Sequence, residues 1–246
     1  SVALINKAAD LGYKTIIILG GHQNELRDQT QERVDSGFIG KDTLHDTGEQ
    51  IGVGNIRDLN KFGTHEGTGL KDFNKTAARS FGFNMMGLSF PVVFVVKKNV
   101  SVLKTLQRWI LENHQLNPEK GKRLDQPMLL IDDEADYASP NSKQASDDVT
   151  ATNKIIRDIL DLFKRNTYVG YTATPFANIF IDPKNNDEME SQNLFPKDFM
   201  IKVPVPQNYC GQDFFFTDNH IDEGAKIGPV RPLNNKDVEE HEKKLL

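Results

Sequence analysis

The stretch that decides the fold is Met128-Leu129-Leu130-Ile131-Asp132-Asp133-Glu134-Ala135-Asp136. Four apolar residues are followed at once by carboxylates, a pattern typical of a buried strand that ends at the edge of a sheet. Open α/β sheets bind their ligands at this edge, because the carboxyl ends of parallel strands meet there. Neighbouring carboxylates repel one another, so a divalent cation is their natural counter-charge.

Three further short apolar runs predict buried strands: Thr15 to Leu19, Val92 to Val96 and Tyr168 to Tyr171. Helix-like apolar spacing occurs in three places: residues 2–11 before a stop at Gly12, residues 99–110 after an N-cap at Asn99, and residues 155–163. Apolar strands that alternate with amphipathic helices predict a parallel sheet covered on both faces. The predicted fold class is therefore α/β.

Two regions do not follow this alternation. Residues 37–87 contain ten of the 18 glycines and little periodicity, so they predict an irregular excursion that is too long for an ordinary connection. We expect residues 1–182 to form one domain that includes this excursion. Residues 183–246 are expected to be an extended segment, with extended pieces around 200–205, and the start of a linker to a second domain.

Composition excludes several classes of protein. The 246 residues carry 30 Lys and Arg against 35 Asp and Glu, a net charge of −5, which argues against a wholly electrostatic nucleic-acid binder. The longest apolar run, Val92 to Val96, is far too short to cross a membrane, so no membrane partner is expected. The single cysteine, Cys210, excludes an internal disulfide and a zinc site built on cysteines. A reducing, cytoplasmic location fits best.

The acidic strand end predicts the metal side of a nucleoside triphosphate site. An aspartate there can hold Mg²⁺, and the adjacent glutamate can orient or deprotonate an attacking water. Either Asp132 or Asp133 could face the metal, and Asp133 is preferred because Glu134 follows it. Three alternatives remain open: an acidic turn that only solubilises a loop, a phosphoryl-accepting receiver, and a metal-dependent nuclease that uses Asp132, Asp133 and Glu134 directly.

A second strand end carries hydroxyl groups. Thr172-Ala173-Thr174 follows the run that ends at Tyr171. Small residues allow this turn to approach the acidic strand closely, and the two hydroxyls can hydrogen-bond to its carboxylates. Such a contact could transmit the state of a bound phosphate to a neighbouring domain. The alternative is a simple transition from strand to turn that uses β-branched threonines.

Together these motifs resemble the helicase-like ATPase domain of superfamily two, which is of the RecA type. Asp133-Glu134-Ala135-Asp136 matches the Walker B motif of that superfamily, and Thr172-Ala173-Thr174 matches its motif III. With the flanking residues Asp132 and Tyr171, and with Pro175-Phe176-Ala177-Asn178, the motifs are more narrowly similar to the endonuclease Z-one domain family. Those bacterial proteins are associated with restriction and phage defence.

The resemblance implies a parallel RecA-like sheet of the P-loop NTPase type, flanked by helices, in a DNA-dependent ATPase that uses ATP and Mg²⁺. It implies that Asp133 holds the metal and that Glu134 positions the hydrolytic water. It further implies that Thr172, Thr174 and Asp136 couple hydrolysis to movement of a second RecA-like domain. A non-catalytic interaction domain with a decayed site is the remaining alternative.

One element of the family pattern is missing from this sequence. A P-loop needs Gly-Lys followed by Ser or Thr, but the two Gly-Lys pairs continue as Gly40-Lys41-Asp42 and Gly121-Lys122-Arg123. The helix predicted at residues 2–11 occupies the place of the helix that follows a P-loop. We therefore expect the P-loop strand to precede Ser1 and residues 1–246 by themselves to bind ATP weakly or not at all.

The resemblance also implies contacts with DNA. Residues 91–130 carry seven basic and three acidic side chains, a local excess of positive charge in an acidic chain. Helicase-like motors hold the sugar-phosphate backbone with strand-end loops and helix N-termini. Six residues are therefore expected near a DNA path: Gly21, Gln23, Arg27, Lys97, Lys98 and Asn99. A solvated helix face is an equally good interpretation of the charge.

Overall fold

A computed structural model of the chain describes residues 2–45, 47–55, 65–66, 73–74, 85–87, 89–137, 147–175, 194, 198–206 and 209. Contacts divide the chain into two units, Ser1–Asp198 and Phe199–Leu246, a division later along the chain than the predicted domain boundary after residue 182. Much of the glycine-rich excursion lies outside the described residues, and so does most of the segment 183–246. Both interpretations therefore stay predictions.

The first unit is a parallel sheet with flanking helices. Its described helices are α1 (Val2–Asp10), α2 (Asn24–Val34), α3 (Val100–Asn113) and α4 (Asp147–Leu160). Its described strands are β1 (Thr15–Leu19), β2 (His65–Glu66), β3 (Val92–Val96), β4 (Leu124–Asp133) and β5 (Phe163–Tyr171). The strand order is β2-β3-β1-β4-β5, and every pairing is parallel. The α/β prediction is confirmed, whereas the RecA assignment stays a prediction.

Each face of the sheet packs against a different pair of helices. One face joins β1, β3 and β4 to α3 and α4 through an apolar cluster that includes Phe94, Trp109 and Ile156. The other face joins the same strands to α1 and to the end of α2 through a second cluster, which includes Ile5 and Val34. Because side chains alternate along a strand, each central strand contributes to both clusters. This arrangement explains why β1 and β3 are apolar apart from Thr15.

Several strand and helix limits differ from the predicted ones. Strands β4 and β5 start earlier than predicted, at Leu124 and Phe163, because the residues that follow these two are polar and interrupt the apolar pattern. Among the described strands, β5 also has only one neighbour. Phe163, predicted on a helix face, is the first residue of β5 and pairs with Leu124, because the helix already ends at Leu160. Leu11 is exposed rather than packed, because α1 ends at Asp10 and Gly12 turns the chain at φ +86°.

Helix α2 has no apolar stripe, so the apolar pattern of the sequence does not predict it. It packs instead through buried polar side chains: Arg27, Thr30 and Gln31. Arg27 is 1% exposed, and its Nε donates a hydrogen bond of 3.2 Å to the carbonyl of Val95 in β3. A hydrogen bond to the sheet, together with the polar contacts of Gln31 with Asp35 and Thr43, therefore supplements the apolar packing of Val34.

The chain after α2 is fastened by a buried aspartate. The Asp35 carboxylate accepts hydrogen bonds of 2.8 Å from Gln31 Nε2 and from the backbone N–H of Thr43. Burial raises the pKa of Asp35 above its usual value, although the bonds from Gln31, Thr43 and Leu44 act in the opposite direction. This carboxyl therefore binds its proton more tightly in the folded chain than in the unfolded one.

The described part of the second unit contains neither helix nor strand. Residues 199–206 carry exposed apolar side chains, namely Phe199, Met200, Ile201, Val203 and Val205. The predicted extended piece around residues 200–205 is therefore not part of a strand among the described residues, and its extended backbone stays a prediction.

Candidate functional site

The acidic residues after Ile131 form the end of β4 and a tight turn. Asp133 is the last residue of β4, and the Tyr137 N–H closes the turn with a 2.9 Å hydrogen bond to the carbonyl of Glu134. Glu134 adopts φ +56°, in the left-handed region that non-glycine residues rarely occupy. We call residues 133–137 the acidic turn. Its backbone is strained at the residue whose predicted role is to position water.

The two aspartates lie on opposite faces of the sheet, as strand alternation requires. Asp132 is fully buried, with Oδ1 2.5 Å from the Lys98 ammonium and Oδ2 accepting a 2.7 Å hydrogen bond from the Tyr168 hydroxyl. Its charge is thus compensated inside the protein. Since a protein cation already neutralises Asp132, this placement does not favour its predicted role as a metal ligand.

Asp133 and Glu134 lie at a crevice between neighbouring strand ends. The chain leaves β1 toward one face of the sheet, where α2 packs, and leaves β4 toward the other face, where α4 packs. Such a divergence is where open parallel sheets form ligand crevices. A cavity of about 40 Å³ is lined there by Asp133, Glu134 and Gly21, among others. That volume holds roughly one water molecule or ion.

Two glycines allow α2 to approach the acidic turn. A Cβ placed on Gly20 would lie 3.0 Å from the Cα of Arg27. Gly21 adopts φ +72°, and a Cβ there would lie 3.3 Å from Glu134 Oε2. A larger residue at either position would therefore push the loop away from the crevice. The predicted role of Gly21 in binding DNA is separate from this structural requirement and stays a prediction.

Two ring-bearing residues that the sequence analysis did not assign lie over the same edge. His22 Nδ1 is 3.8 Å from Glu134 Oε2, and the imidazole ring lies 4.6 Å from the Tyr137 ring. His22 directly follows the two glycines, and Tyr137 ends the acidic turn. Their positions next to these motifs are the feature of the sequence that could have indicated a place at the site. Both side chains are exposed.

The acidic turn is joined to the Thr-Ala-Thr turn at the end of β5. The hydroxyls of Thr172 and Thr174 donate hydrogen bonds of 2.6 and 2.5 Å to the two oxygens of Asp136. The predicted contact between hydroxyl and carboxylate is confirmed. Burial alone would raise the pKa of Asp136, but the hydrogen bonds from both threonines and the Lys98 charge outweigh it and hold the pKa below its usual value.

Small residues make this joint possible, as the sequence predicted. A Cβ on Gly170 would lie only 2.8 Å from the Cβ of Ala135. The Ala135 N–H also donates a 2.9 Å hydrogen bond to the carbonyl of Tyr171. The two turns therefore pack backbone to backbone, so that displacement of one must displace the other.

The residues expected near DNA follow two neighbouring strands, β1 and β3. The Lys98 N–H donates a 2.7 Å hydrogen bond to the carbonyl of Gly21, which holds the two loops together. Gln23 and Asn99 are exposed, and the Asn99 side chain caps α3 by accepting bonds from Ser101 N and Val102 N. Lys97 is partly exposed.

Two of the expected DNA contacts are buried within the protein. Arg27 is bound to β3, and the Lys98 side chain is 0% exposed beside Asp132. A contact with a phosphate would require either side chain to give up these internal partners. We therefore do not retain the side chains of Arg27 and Lys98 as expected DNA contacts.

A second cavity lies away from the carboxyl edge of the sheet. This larger cavity, about 370 Å³, lies beside the start of β4, at the opposite end of that strand from the acidic turn, and is lined by residues that include His114, Lys122 and Asp125. Within the described ranges, no three His, Cys, Asp or Glu side chains are grouped so as to hold a metal ion. The helices that the structure describes include none with the length and apolarity needed to span a membrane.

Comparisons with protein-family models, curated proteins and solved structures give no match for this chain. Inferences about its function therefore depend on the geometry of its own residues and on the motif resemblance.

Proposed function

We propose that this chain is the RecA-type ATPase region of a DNA-dependent, helicase-like motor of superfamily two, from a bacterial restriction or phage-defence endonuclease. The observation that carries the proposal is the joint between Asp136 and the hydroxyls of Thr172 and Thr174. It links the two strand-end turns that the resemblance assigns to hydrolysis and to coupling. A transducing domain needs such a mechanical link, whereas a merely solubilising turn does not.

Asp133 and Glu134 are the residues that would act at the nucleotide. Carboxylate oxygens are the ligands that Mg²⁺ prefers, and Asp133 lies half-buried at the crevice with its backbone fixed by β4. Bound Mg²⁺ and ATP would supply the electrophilic phosphoryl group. Glu134, on the same turn, would accept a proton from water or orient it. Asp132 would take no part, because Lys98 neutralises it.

A triphosphate needs more than the described crevice provides. A cavity of about 40 Å³ cannot enclose a nucleotide, so the phosphate cradle must come from elsewhere. The described strands give β5 a single neighbour, β4, so its outer edge can accept a further strand. The proposed partners are therefore a P-loop segment and a second RecA-like domain of the same protein. A cytoplasmic location belongs to the same proposal.

The test is ATP hydrolysis, with and without DNA, by a longer chain that carries the upstream segment. Glu134→Gln should reduce turnover by at least about a hundredfold, in line with loss of a general base, while ATP binding is kept. Glu119→Gln, an exposed change in the turn after α3, is the matched control and should leave turnover unchanged. Turnover that survives Glu134→Gln contradicts the proposal. Metal-dependent DNA cleavage without ATP would favour the nuclease alternative.

The DNA partner has a separate test. Lys97, Gln23 and Asn99 are the expected contacts that remain at least partly exposed at the carboxyl edge. Lys97→Ala should weaken DNA binding in a fluorescence anisotropy titration and reduce the salt slope by about one, because one phosphate contact is lost. Lys120→Ala, on the turn after α3, should leave the slope unchanged. Equal slopes for all three proteins would remove this loop from the DNA path.

A further inference from the structure

The Lys98 ammonium lies at the centre of the acidic turn. Its Nζ donates hydrogen bonds of 2.9, 2.7 and 3.1 Å to the backbone carbonyls of Asp133, Glu134 and Tyr137. The fourth oxygen around it belongs to Asp132, at 2.5 Å. Four oxygens around one buried positive charge resemble the donor set of a small cation, although here the cation is attached to the protein.

This arrangement determines the shape of the turn. Three carbonyls of a five-residue turn point to one position, which a regular strand or helix does not permit. Glu134 makes this possible by adopting φ +56°. A left-handed conformation of a non-glycine residue persists where the surroundings hold it, and the bonds from Lys98 to its own carbonyl and to the preceding one supply that hold.

We propose that Lys98 is the positioning residue of the acidic turn. Its ammonium fixes the backbone of residues 133–137, directs the Asp133 and Glu134 side chains to the crevice, and keeps Asp132 from binding a metal. The catalytic consequence rests on the proposed function, whereas the structural part does not.

The experiment separates the charge of Lys98 from its bulk. In a chain with Cys210 replaced by serine, Lys98→Cys is alkylated in denaturant with 2-bromoethylamine, which restores an ammonium, or with iodopropane, which restores only the length. After refolding, amide hydrogen exchange is measured at Ala135 and Tyr137, whose N–H groups hold the turn, and at Ile17 in β1 as an internal reference.

The propyl form should exchange at Ala135 and Tyr137 about tenfold faster or more relative to Ile17, because charge-assisted bonds are lost. The aminoethyl form should return to within about threefold of the original chain, because the restored ammonium can make the same charge-assisted bonds. Lys97→Met, next in the chain, should change neither amide. Equal protection in the propyl and aminoethyl forms overturns the proposal.

A second measurement needs no variant that might fail to fold. The ¹⁵N-labelled Lys98 ammonium should give a slowly exchanging proton signal near neutral pH with contacts to Tyr137. A signal that exchanges as fast as that of exposed Lys104 overturns the proposal. In a longer chain that hydrolyses ATP, the propyl form should lower kcat and leave KM unchanged. If kcat is unchanged in the propyl form, the positioning role of Lys98 is refuted but the proposed function is not. If the unmodified longer chain does not hydrolyse ATP, the proposed function is refuted but the result of the amide exchange is not affected.

Discussion

The joint between Asp136 and the two threonines should contribute measurably to stability, and in a pH-dependent way. Thr172→Val removes the hydroxyl that donates the 2.6 Å bond while it keeps the branched shape. A hydrogen bond to a partly buried charged group contributes about 1.5–3 kcal/mol. The bond from exposed Thr174 contributes less, so the double variant Thr172→Val with Thr174→Val should lose about 2 kcal/mol in all.

The sign of the pH dependence follows from the lowered pKa of Asp136. A carboxyl whose pKa is lower in the folded state stabilises the fold above the unfolded value, here 3.8, and that contribution is lost as the pH falls through the folded value. Urea unfolding of the original chain and the double variant should therefore differ by about 2 kcal/mol near pH 7 and by clearly less near pH 3. Thr105→Val, whose hydroxyl bonds to Ser101 within α3, controls for loss of a threonine. A difference that is absent near pH 7, or equally large at both pH values, would refute this account.

Three further predictions concern the turns and the polar packing around the crevice. Gly170→Ala should lower the free energy of unfolding by about 1–2 kcal/mol, because its Cβ would meet Ala135. Gly87→Ala, which has open space around it, should not lower the free energy of unfolding. Equal midpoints in thermal unfolding of the two variants would contradict the close approach of Gly170 to Ala135. Glu134→Gly should raise the free energy of unfolding by up to about 1 kcal/mol, because glycine adopts φ +56° without strain. The same change should abolish ATP hydrolysis by a competent longer chain. The stability measured by chemical denaturation should therefore rise while the turnover rate falls. Burial raises the pKa of Asp35. The free energy of unfolding, relative to that of the Asp35→Asn variant, should therefore be greatest below pH 3.8 and should fall as the pH rises through the pKa of Asp35 in the folded state. A difference in urea unfolding that instead grows with pH would show that the carboxyl is held ionised.

The parallel sheet was predictable because its central strands bury both faces. Strands β1 and β3 have the predicted limits, since every residue in them is apolar apart from Thr15 and the flanking residues are not. The start of β5 was not predictable, because an edge strand tolerates polar residues such as Lys164. Helix α2 was missed for a related reason: its buried side chains other than Val34 are polar, and a periodicity of apolar residues does not indicate that kind of packing.

The site could be predicted only in part. The contact of Thr172 and Thr174 with Asp136 followed from motifs on neighbouring strand ends, because hydroxyls and a carboxylate at one sheet edge have an evident way to pair. The ion pair between Asp132 and Lys98 could not be predicted in this way. In the sequence, Lys98 is one of two adjacent basic residues, a pattern that suggests contact with DNA rather than burial. Strand pairing places the end of β3 two strands away from β4, and only the length of the lysine side chain spans that gap.

The polar packing of α2 has a consequence for how finely the crevice is fixed. Apolar side chains can slide past one another at little cost, but the bond from Arg27 to β3 tolerates only a narrow range of lengths and angles. Because the same helix begins just beyond Gly21, small shifts of α2 along the sheet are opposed at the residues nearest the acidic turn. The width of the crevice is therefore restrained by the geometry of a hydrogen bond, which is more directional than apolar packing.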